Sequence, residues 1–295
     1  IAMLKHEQVK KNNLEYKAKM DKCWIMNCNI NNLSTHKLLD LVTTFPNVHI
    51  FNINECFYHV EGLMDGSAIP KGYKGSWGTP DIEGLIYAMT IYKIELDDII
   101  QPMNCVGSFS GVYISDNKLN EAGMNTNKKI AIMNTYRFCD NSTRYLKGFN
   151  SSSKNIWFEW LDNNLMMLKG HKIVLTGDFN CDITRPRNPE EHHNASKLGI
   201  AIKSFKDNIR GNTHFRKGNK PSKIDYIFTK NITLLSGKNL NLIDDINSNG
   251  HIGQECCIDI DMSYKTRQYI TFSRPILQPF EITNLMAINE ELFEK

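Results

Sequence analysis

The run Trp24-Ile25-Met26-Asn27-Cys28-Asn29-Ile30-Asn31 reads as a strand. An Asn-Leu-Ser cap follows, then Leu38, Leu41, Val42 and Phe45 at helical spacing, which predicts an amphipathic helix. Val48 to Glu55 alternates apolar and polar side chains and predicts a second strand ending on the Glu55 carboxylate. Gly, Pro and Ser punctuate the segment from Gly66 to Pro80 as turns. Strand-like runs at 85–92, 111–115 and 129–136 then suggest a β-meander.

Trp157, Leu161, Leu165 and Leu168 recur at helical spacing ahead of Lys172-Ile173-Val174-Leu175-Thr176, a short apolar strand that runs into Gly177-Asp178-Phe179-Asn180. Further on, 195–205 reads as a helix, 223–228 as a strand and 252–262 as the last strand. Residues 1–22 are Lys-rich and weakly patterned, as expected of a helical or frayed extension. After Met262 a connector through Arg274-Pro275 to Pro279 precedes a helical start at 282–293. The expected organisation is therefore an extension (1–22), one domain (23–262) and a C-terminal connector or tail (263–295). Strands outnumber helices and polar residues gather at strand ends, which favours an α/β sandwich of sheets flanked by helices.

Composition changes this picture little. With 295 residues, 41% hydrophobic and 23% charged, the chain is expected to fold around a substantial core, and collagen-like, coiled-coil or disordered classes are disfavoured. No stretch is apolar for long enough to span a bilayer, so no membrane partner is expected. Eight cysteines without paired short-range spacing read as reduced thiols, with Cys256-Cys257 as core residues, and imply an intracellular setting, nuclear or cytoplasmic. A first residue of Ile is expected if the chain is cut from a longer one.

Charge adds more. The net +3 is small, but eight Lys or Arg against two Asp lie between Lys203 and Lys230, a stripe suited to neutralising backbone phosphates.

The candidate chemistry lies at strand ends. Breaking a phosphodiester requires a cation to offset charge, a carboxylate for the attacking water, and donors for the phosphate oxygens. Glu55 is a hard oxygen ligand suited to Mg²⁺, with Mn²⁺ as the alternative. Asp178 and Asn180, two residues apart on an extended chain, offer an acceptor for a water proton and a donor for phosphate. Asp225 and His251 can form a carboxylate–imidazole pair. Each signal alone is weak: Asp-Phe-Asn after a strand is more often an Asx turn or helix cap, and a lone His is more often structural. Their joint order along the chain carries the weight.

That order resembles the endonuclease/exonuclease/phosphatase family. The likeness rests on Cys28-Asn29-Ile30-Asn31-Asn32-Leu33, Ile53-Asn54-Glu55, Asn134-Thr135-Tyr136, Gly177-Asp178-Phe179-Asn180, Ser222-Lys223-Ile224-Asp225-Tyr226 and Gly250-His251, and spans Cys23 to Met262. It implies a four-layer α/β/β/α sandwich with the site at one edge of the paired sheets. It also implies that Glu55 and Asn29 hold the metal and that Asp178 orients or deprotonates water. Asn180, Tyr136 and His251 would stabilise the transition state, with Asp225 orienting His251.

Within the family the sequence is most similar to endonuclease domains of LINE-type retrotransposons, through Asn29-Ile30-Asn31, Asp207-Asn208-Ile209-Arg210 followed by Thr213, and Ser222 to Tyr226. This implies a DNA nickase, with Thr213, Arg210, Ser222 and Lys223 at the substrate and a reverse transcriptase linked beyond the C-terminal connector. Lipid or inositol phosphates are the alternative substrates on the same fold, and a non-catalytic nucleic-acid binder is a third reading. The chain departs from the family at Ser248-Asn249-Gly250-His251, where relatives have Ser-Asp-His. Glu55 is then the one sure carboxylate ligand, with Asn29 and Asn249 as supplementary oxygens.

Overall fold

The computed structural model describes residues 22–64, 66–114, 129–139, 148–149, 155–215, 220–240 and 250–260. Residues 1–21 of the expected N-terminal extension, the connector and the helical start at 282–293 lie outside them, as does Asn249, while Lys22 opens the first strand.

Among these residues twelve strands form two six-stranded sheets. The first has the order β11 (Leu234–Leu240), β12 (Gly253–Asp259), β1 (Lys22–Asn29), β2 (Ile50–His59), β4 (Leu85–Lys93), β3 (Tyr73–Trp77). The second has the order β5 (Ile100–Pro102), β6 (Phe109–Ile114), β7 (Ile130–Tyr136), β8 (Lys172–Asp178), β10 (Asp225–Lys230), β9 (Lys206–Asp207). Both sheets are mixed: β1 runs parallel to β2 and β7 parallel to β8, while the other neighbours are antiparallel.

The period of two explains how the layers stack. In β1 and β2, Met26, Cys28, Phe51 and Ile53 pack beneath helix α1 (Thr35–Thr44) through Leu38, Leu41 and Val42. After the short α2 (Glu61–Met64), helices α3 (Ile156–Met167) and α4 (Pro189–Ala201) cover the second sheet, where Trp157, Trp160, Leu161 and Leu198 meet Ile173, Leu175, Phe179, Tyr226 and Phe228. The order of layers is helix, sheet, sheet, helix.

The intervening positions face the other sheet and are polar. Asn52 Nδ2 donates to Thr176 Oγ1 at 2.8 Å, and Asn134 Nδ2 donates to the carbonyls of Ile53 (3.0 Å) and Met89 (3.2 Å). Asn54 Nδ2 donates to Asn27 Oδ1 at 2.8 Å, and Thr90 Oγ1 to Asn52 Oδ1 at 2.9 Å. Asn52 and Asn54, the polar half of the β2 alternation, are therefore fully buried. Burying amides costs stability unless they are paired: Asn52 and Asn134 pair across the sheets, fixing how one sits on the other, while Asn54 pairs within the first sheet through Nδ2 and its Oδ1 has no hydrogen-bond partner among the described residues.

Several expectations are corrected. β2 does not end at Glu55: the chain bulges there, with φ 58° at Glu55 and 44° at Phe57 and a register shift between Asn54 and Tyr58, then pairs on to His59. The 66–80 segment contains edge strand β3 as well as turns. The expected meander is split, because β4 belongs to the first sheet and β5–β7 to the second. Helix α4 starts six residues early, where Asn188 caps it by accepting from the Glu191 N–H and Pro189 takes the first turn. β11, whose residues are mostly exposed, carried no recognisable pattern. Cys256 and Cys257 are buried in β12. Among the described residues no helix is long and apolar enough to cross a membrane.

Candidate active site

The two sheets bring three strand ends and one bridge together. In the second sheet Asp178, the last residue of β8, lies in register with Tyr136 of β7 on one side and Asp225 of β10 on the other. From the first sheet Asn29, at the end of β1, donates through Nδ2 to Asp178 Oδ2 at 3.0 Å. His251 enters from the bridge of 213–215 to 250–252, where Phe215 N–H donates to the Gly250 carbonyl and Ile252 N–H to the Thr213 carbonyl, both at 2.8 Å. Its Nδ1 lies 3.0 Å from Asp225 Oδ2, and its Nε2 lies 3.9 Å from Asp178 Oδ2 and 3.5 Å from Asn29 Nδ2. Residues 29, 178, 225 and 251 thus close into one buried cluster from opposite sheets.

The approach of Gly177 to β7 sets this geometry. A Cβ there would lie 2.1 Å from the Thr135 carbonyl oxygen, so only glycine lets β8 run so close beside Tyr136. Beyond the strand, Asn180 N–H donates to Asp178 Oδ1 at 2.9 Å, an Asx turn with φ 43° at Asn180. The bland reading of Asp-Phe-Asn as a turn is therefore correct and coexists with the cluster: the turn uses Oδ1 and leaves Oδ2 toward Asn29 and His251. Asn180 Nδ2 donates to the Arg137 carbonyl at 2.6 Å, and Arg137, itself buried, returns Nη1 to the Asn180 carbonyl at 3.2 Å. The sequence reading missed Arg137; its position next to Tyr136 was the available signal.

Electrostatics follow from burial. Desolvation, and then the charge of Asp225, push the Asp178 carboxyl up to about 7, against the pull of His251. Burial opposes charge on His251, but Asp225 through its charge and hydrogen bond, with Asp178 and Glu55, raises it to about 9. At neutral pH His251 is an imidazolium held between two carboxyls.

Glu55 sits in the β2 bulge, half-buried, and acts electrostatically on both Asp178 and His251. Among the described residues its carboxylate has no hydrogen-bond partner. Asn29 Oδ1 accepts from Asn31 N–H at 3.0 Å and retains a second lone pair. Ligand atoms of Asp178, Asp225 and His251 all lie within 4.8 Å of one another. A carboxylate with no hydrogen-bond partner among the described residues and an amide oxygen with spare capacity, beside a buried acid, are hard oxygen donors that fit Mg²⁺ or Mn²⁺. Gly250, at φ 80°, brings no carboxylate to the set.

The residues expected at the substrate separate. Thr213 is buried, and its Oγ1 accepts from the Ile224 and Asp225 N–H groups at 3.1 and 3.0 Å. Ser222 is buried and pairs with His214. Lys223 is turned inward: its Nζ meets Asp207 Oδ2 at 2.5 Å and the Ile209 carbonyl, and lies over the Tyr226 ring. These three build the frame that presents Asp225, and of the four only Arg210 has an exposed side chain. Of the basic stripe, Lys203, Lys206, Arg210 and Lys220 are exposed. Lys223 is neutralised, Arg216 and Lys217 lie outside the described residues, and Lys230 sits at the far end of β10, roughly 17 Å from Asp225 at ~3.3 Å per residue.

Asp182 also escaped the sequence reading. It accepts from the Thr184 N–H and hydroxyl, the Arg185 N–H and the Lys223 N–H, tying the loop after β8 to the start of β10.

No protein-family model matches the sequence, and no curated protein does. Solved structures do match. The endonuclease domain of TRAS1, a telomere-specific non-LTR retrotransposon, aligns over 81% of this chain and 98% of its own at 14% identity, with a TM-score of 0.56. The 3′ phosphatase NExo from Neisseria, bound to product DNA hairpin, aligns over 80% and 99% at 14% identity, with a TM-score of 0.54. A Leptotrichia buccalis protein of the endonuclease/exonuclease/phosphatase family aligns over 80% and 99% at 14% identity, with a TM-score of 0.50. These likenesses show the fold, the DNase I-like α/β sandwich, and agree with the resemblance read from the sequence.

Proposed function

We propose that the protein is a divalent-metal-dependent phosphodiesterase that cuts DNA, in the manner of a retroelement nickase. The observation that carries this reading is the convergence of Asn29, Asp178, Asp225 and His251 from two sheets, with the Glu55 carboxylate, which has no hydrogen-bond partner among the described residues, within electrostatic reach. The nuclease and DNA-bound phosphatase among the fold neighbours support phosphoryl chemistry, and the TRAS1 domain supports the retroelement setting.

Glu55 and Asn29 Oδ1 would hold Mg²⁺ or Mn²⁺, which when bound supplies charge neutralisation at the phosphate. Asp178, with a carboxyl near neutrality, accepts a proton from the attacking water or aligns it. The His251 imidazolium, kept charged by Asp225, donates toward phosphate oxygen, where negative charge accumulates in the transition state. Tyr136, the register partner of Asp178, and Asn180, two residues beyond it, would contact the same group.

The test is nicking of supercoiled plasmid in Mg²⁺ or Mn²⁺ by the wild type, D178A and E55Q. Loss of nicking in both variants with an unchanged circular dichroism spectrum supports the assignment; nicking that survives D178A refutes it. Gly250 favours a second reading, a nucleic-acid binder without catalysis, which predicts plasmid retardation and no metal-dependent product.

A further inference from the structure

Lys37 has an unusual station. It lies in the first turn of α1, where the helix dipole disfavours a cation by about 0.3–1 kcal/mol. Its Nζ turns back across the helix start and donates to three successive backbone carbonyls, Ile30 (2.7 Å), Asn31 (2.7 Å) and Asn32 (3.1 Å). Those residues form a left-handed turn, with φ 44° at Asn31 and 69° at Asn32. An ammonium has three protons and no acceptor, so one Lys matches three converging carbonyls.

The turn adjoins both proposed metal ligands. Asn31 N–H donates to Asn29 Oδ1 at 3.0 Å, and Asn32 N–H to the carbonyl of Glu55 at 2.9 Å. Leu33 N–H continues the contact to the Cys56 carbonyl at 2.7 Å, so turn and bulge are laced together. Ser34 Oγ caps the Lys37 N–H at 3.2 Å, which fixes where the side chain starts.

We propose that Lys37 is a positioning residue for the divalent-cation ligands: by tying the carbonyls of 30–32 it holds the turn that aims Asn29 Oδ1 and carries the Glu55 bulge. This rests on the metal site proposed above. Removing the clamp frees two left-handed asparagines to relax, and Asn29 and Glu55 lose their relative aim.

Two effects of the Lys37 charge have opposite signs, which makes the idea testable. A positive group beside Glu55 repels a second cation, so if charge were all that mattered, K37M would tighten metal binding. The clamp requires K37M to weaken it, by roughly 10–100-fold, as loss of outer-sphere support does elsewhere. The 295-residue chain, stripped with chelator, is titrated calorimetrically with MnCl2 and MgCl2, and amide exchange at Asn31 and Asn32 is followed in the metal-free state. The expected result is weaker binding and faster exchange in K37M, with K37R recovering most of both. V42A, which loosens the packing of α1 without touching the ammonium or the Ser34 cap, keeps wild-type metal affinity and serves as the control for helix destabilisation. K37M binding Mn²⁺ as tightly as wild type, or unchanged exchange at Asn32, overturns the proposal. A wild type that binds no divalent ion overturns the metal site instead, and the exchange data still judge the clamp.

Discussion

Gly177→Ala tests the packing that places Asp178. The new methyl would meet the Thr135 carbonyl oxygen at 2.1 Å and Thr135 Cγ2 at 2.8 Å, in a parallel ladder where Thr135 is the register partner of residue 177. Neither obstacle can swing away: the oxygen is backbone, and Thr135 Oγ1 is held by Trp157 Nε1 at 3.1 Å. Ordinary contact requires β7 and β8 to part by about 1 Å, and overpacking of a filled interior costs about 1–3 kcal/mol. The φ of 154° at Gly177 adds backbone strain of about 1 kcal/mol, giving a total of about 2–4 kcal/mol. Urea unfolding followed by tryptophan fluorescence should show a midpoint lowered by about 1 M at unchanged slope. Nicking should fall further than stability does, because Asp178 and Tyr136 are the next pair along the ladder. A midpoint within about 0.2 M of wild type, well below the shift expected from the denaturant slope, would refute the claim that this glycine is required by close approach of the strands.

Glu55→Gln keeps shape and removes charge, so plasmid nicking in Mg²⁺ should fall by about 10²-fold or more while the unfolding midpoint barely moves; metal titration with a nicking readout checks it. Asp225→Asn removes the anion that keeps His251 charged, so the imidazole should titrate well below 9 by NMR and nicking at pH 7 should drop about 10²-fold. Gly250→Asp supplies a carboxylate beside His251 at a residue with φ 80°, a backbone strain of about 1 kcal/mol for Asp; nicking at limiting Mg²⁺ should rise despite a slightly lower midpoint. The Asp182 carboxyl is held below its ordinary value, since its hydrogen bonds outweigh the burial that raises it. Its contribution is therefore complete above the unfolded value near ~4 and is lost as pH falls through the folded value. Asp182→Asn should lower the urea midpoint at pH 6 and flatten its decline below about pH 4, and parallel curves for the two proteins would contradict this.

The sequence by itself determined the elements with strong period and the residues whose chemistry is local. Trp24 to Asn29, Ile50 to Glu55 and Lys172 to Thr176 announce strands, and Leu38, Leu41 and Val42 a helix face, because burial of alternate or every third-to-fourth side chain is written in the order of residues. Gly177-Asp178-Phe179-Asn180 is legible as both turn and acid; the turn is present, and the Asp178 carboxyl is buried beside Asn29 and His251. Tertiary structure decided what pattern cannot encode. The asparagines of β1 and β2 look like a solvent face, yet they are buried because a second sheet arrives from residues 100–230. Lys223 and Thr213 look like substrate contacts, yet their partners, Asp207, Ile209 and the 224–225 amides, turn them into supports. The bulge that aims Glu55 and the Lys37 clamp depend on positive φ values and on carbonyls several residues away, which leave no periodic trace. The Asp178–Asp225–His251 cluster joins residues up to 73 positions apart, 178 to 251, and only the register of β8 with β10 and the bridge at His214 bring them within reach.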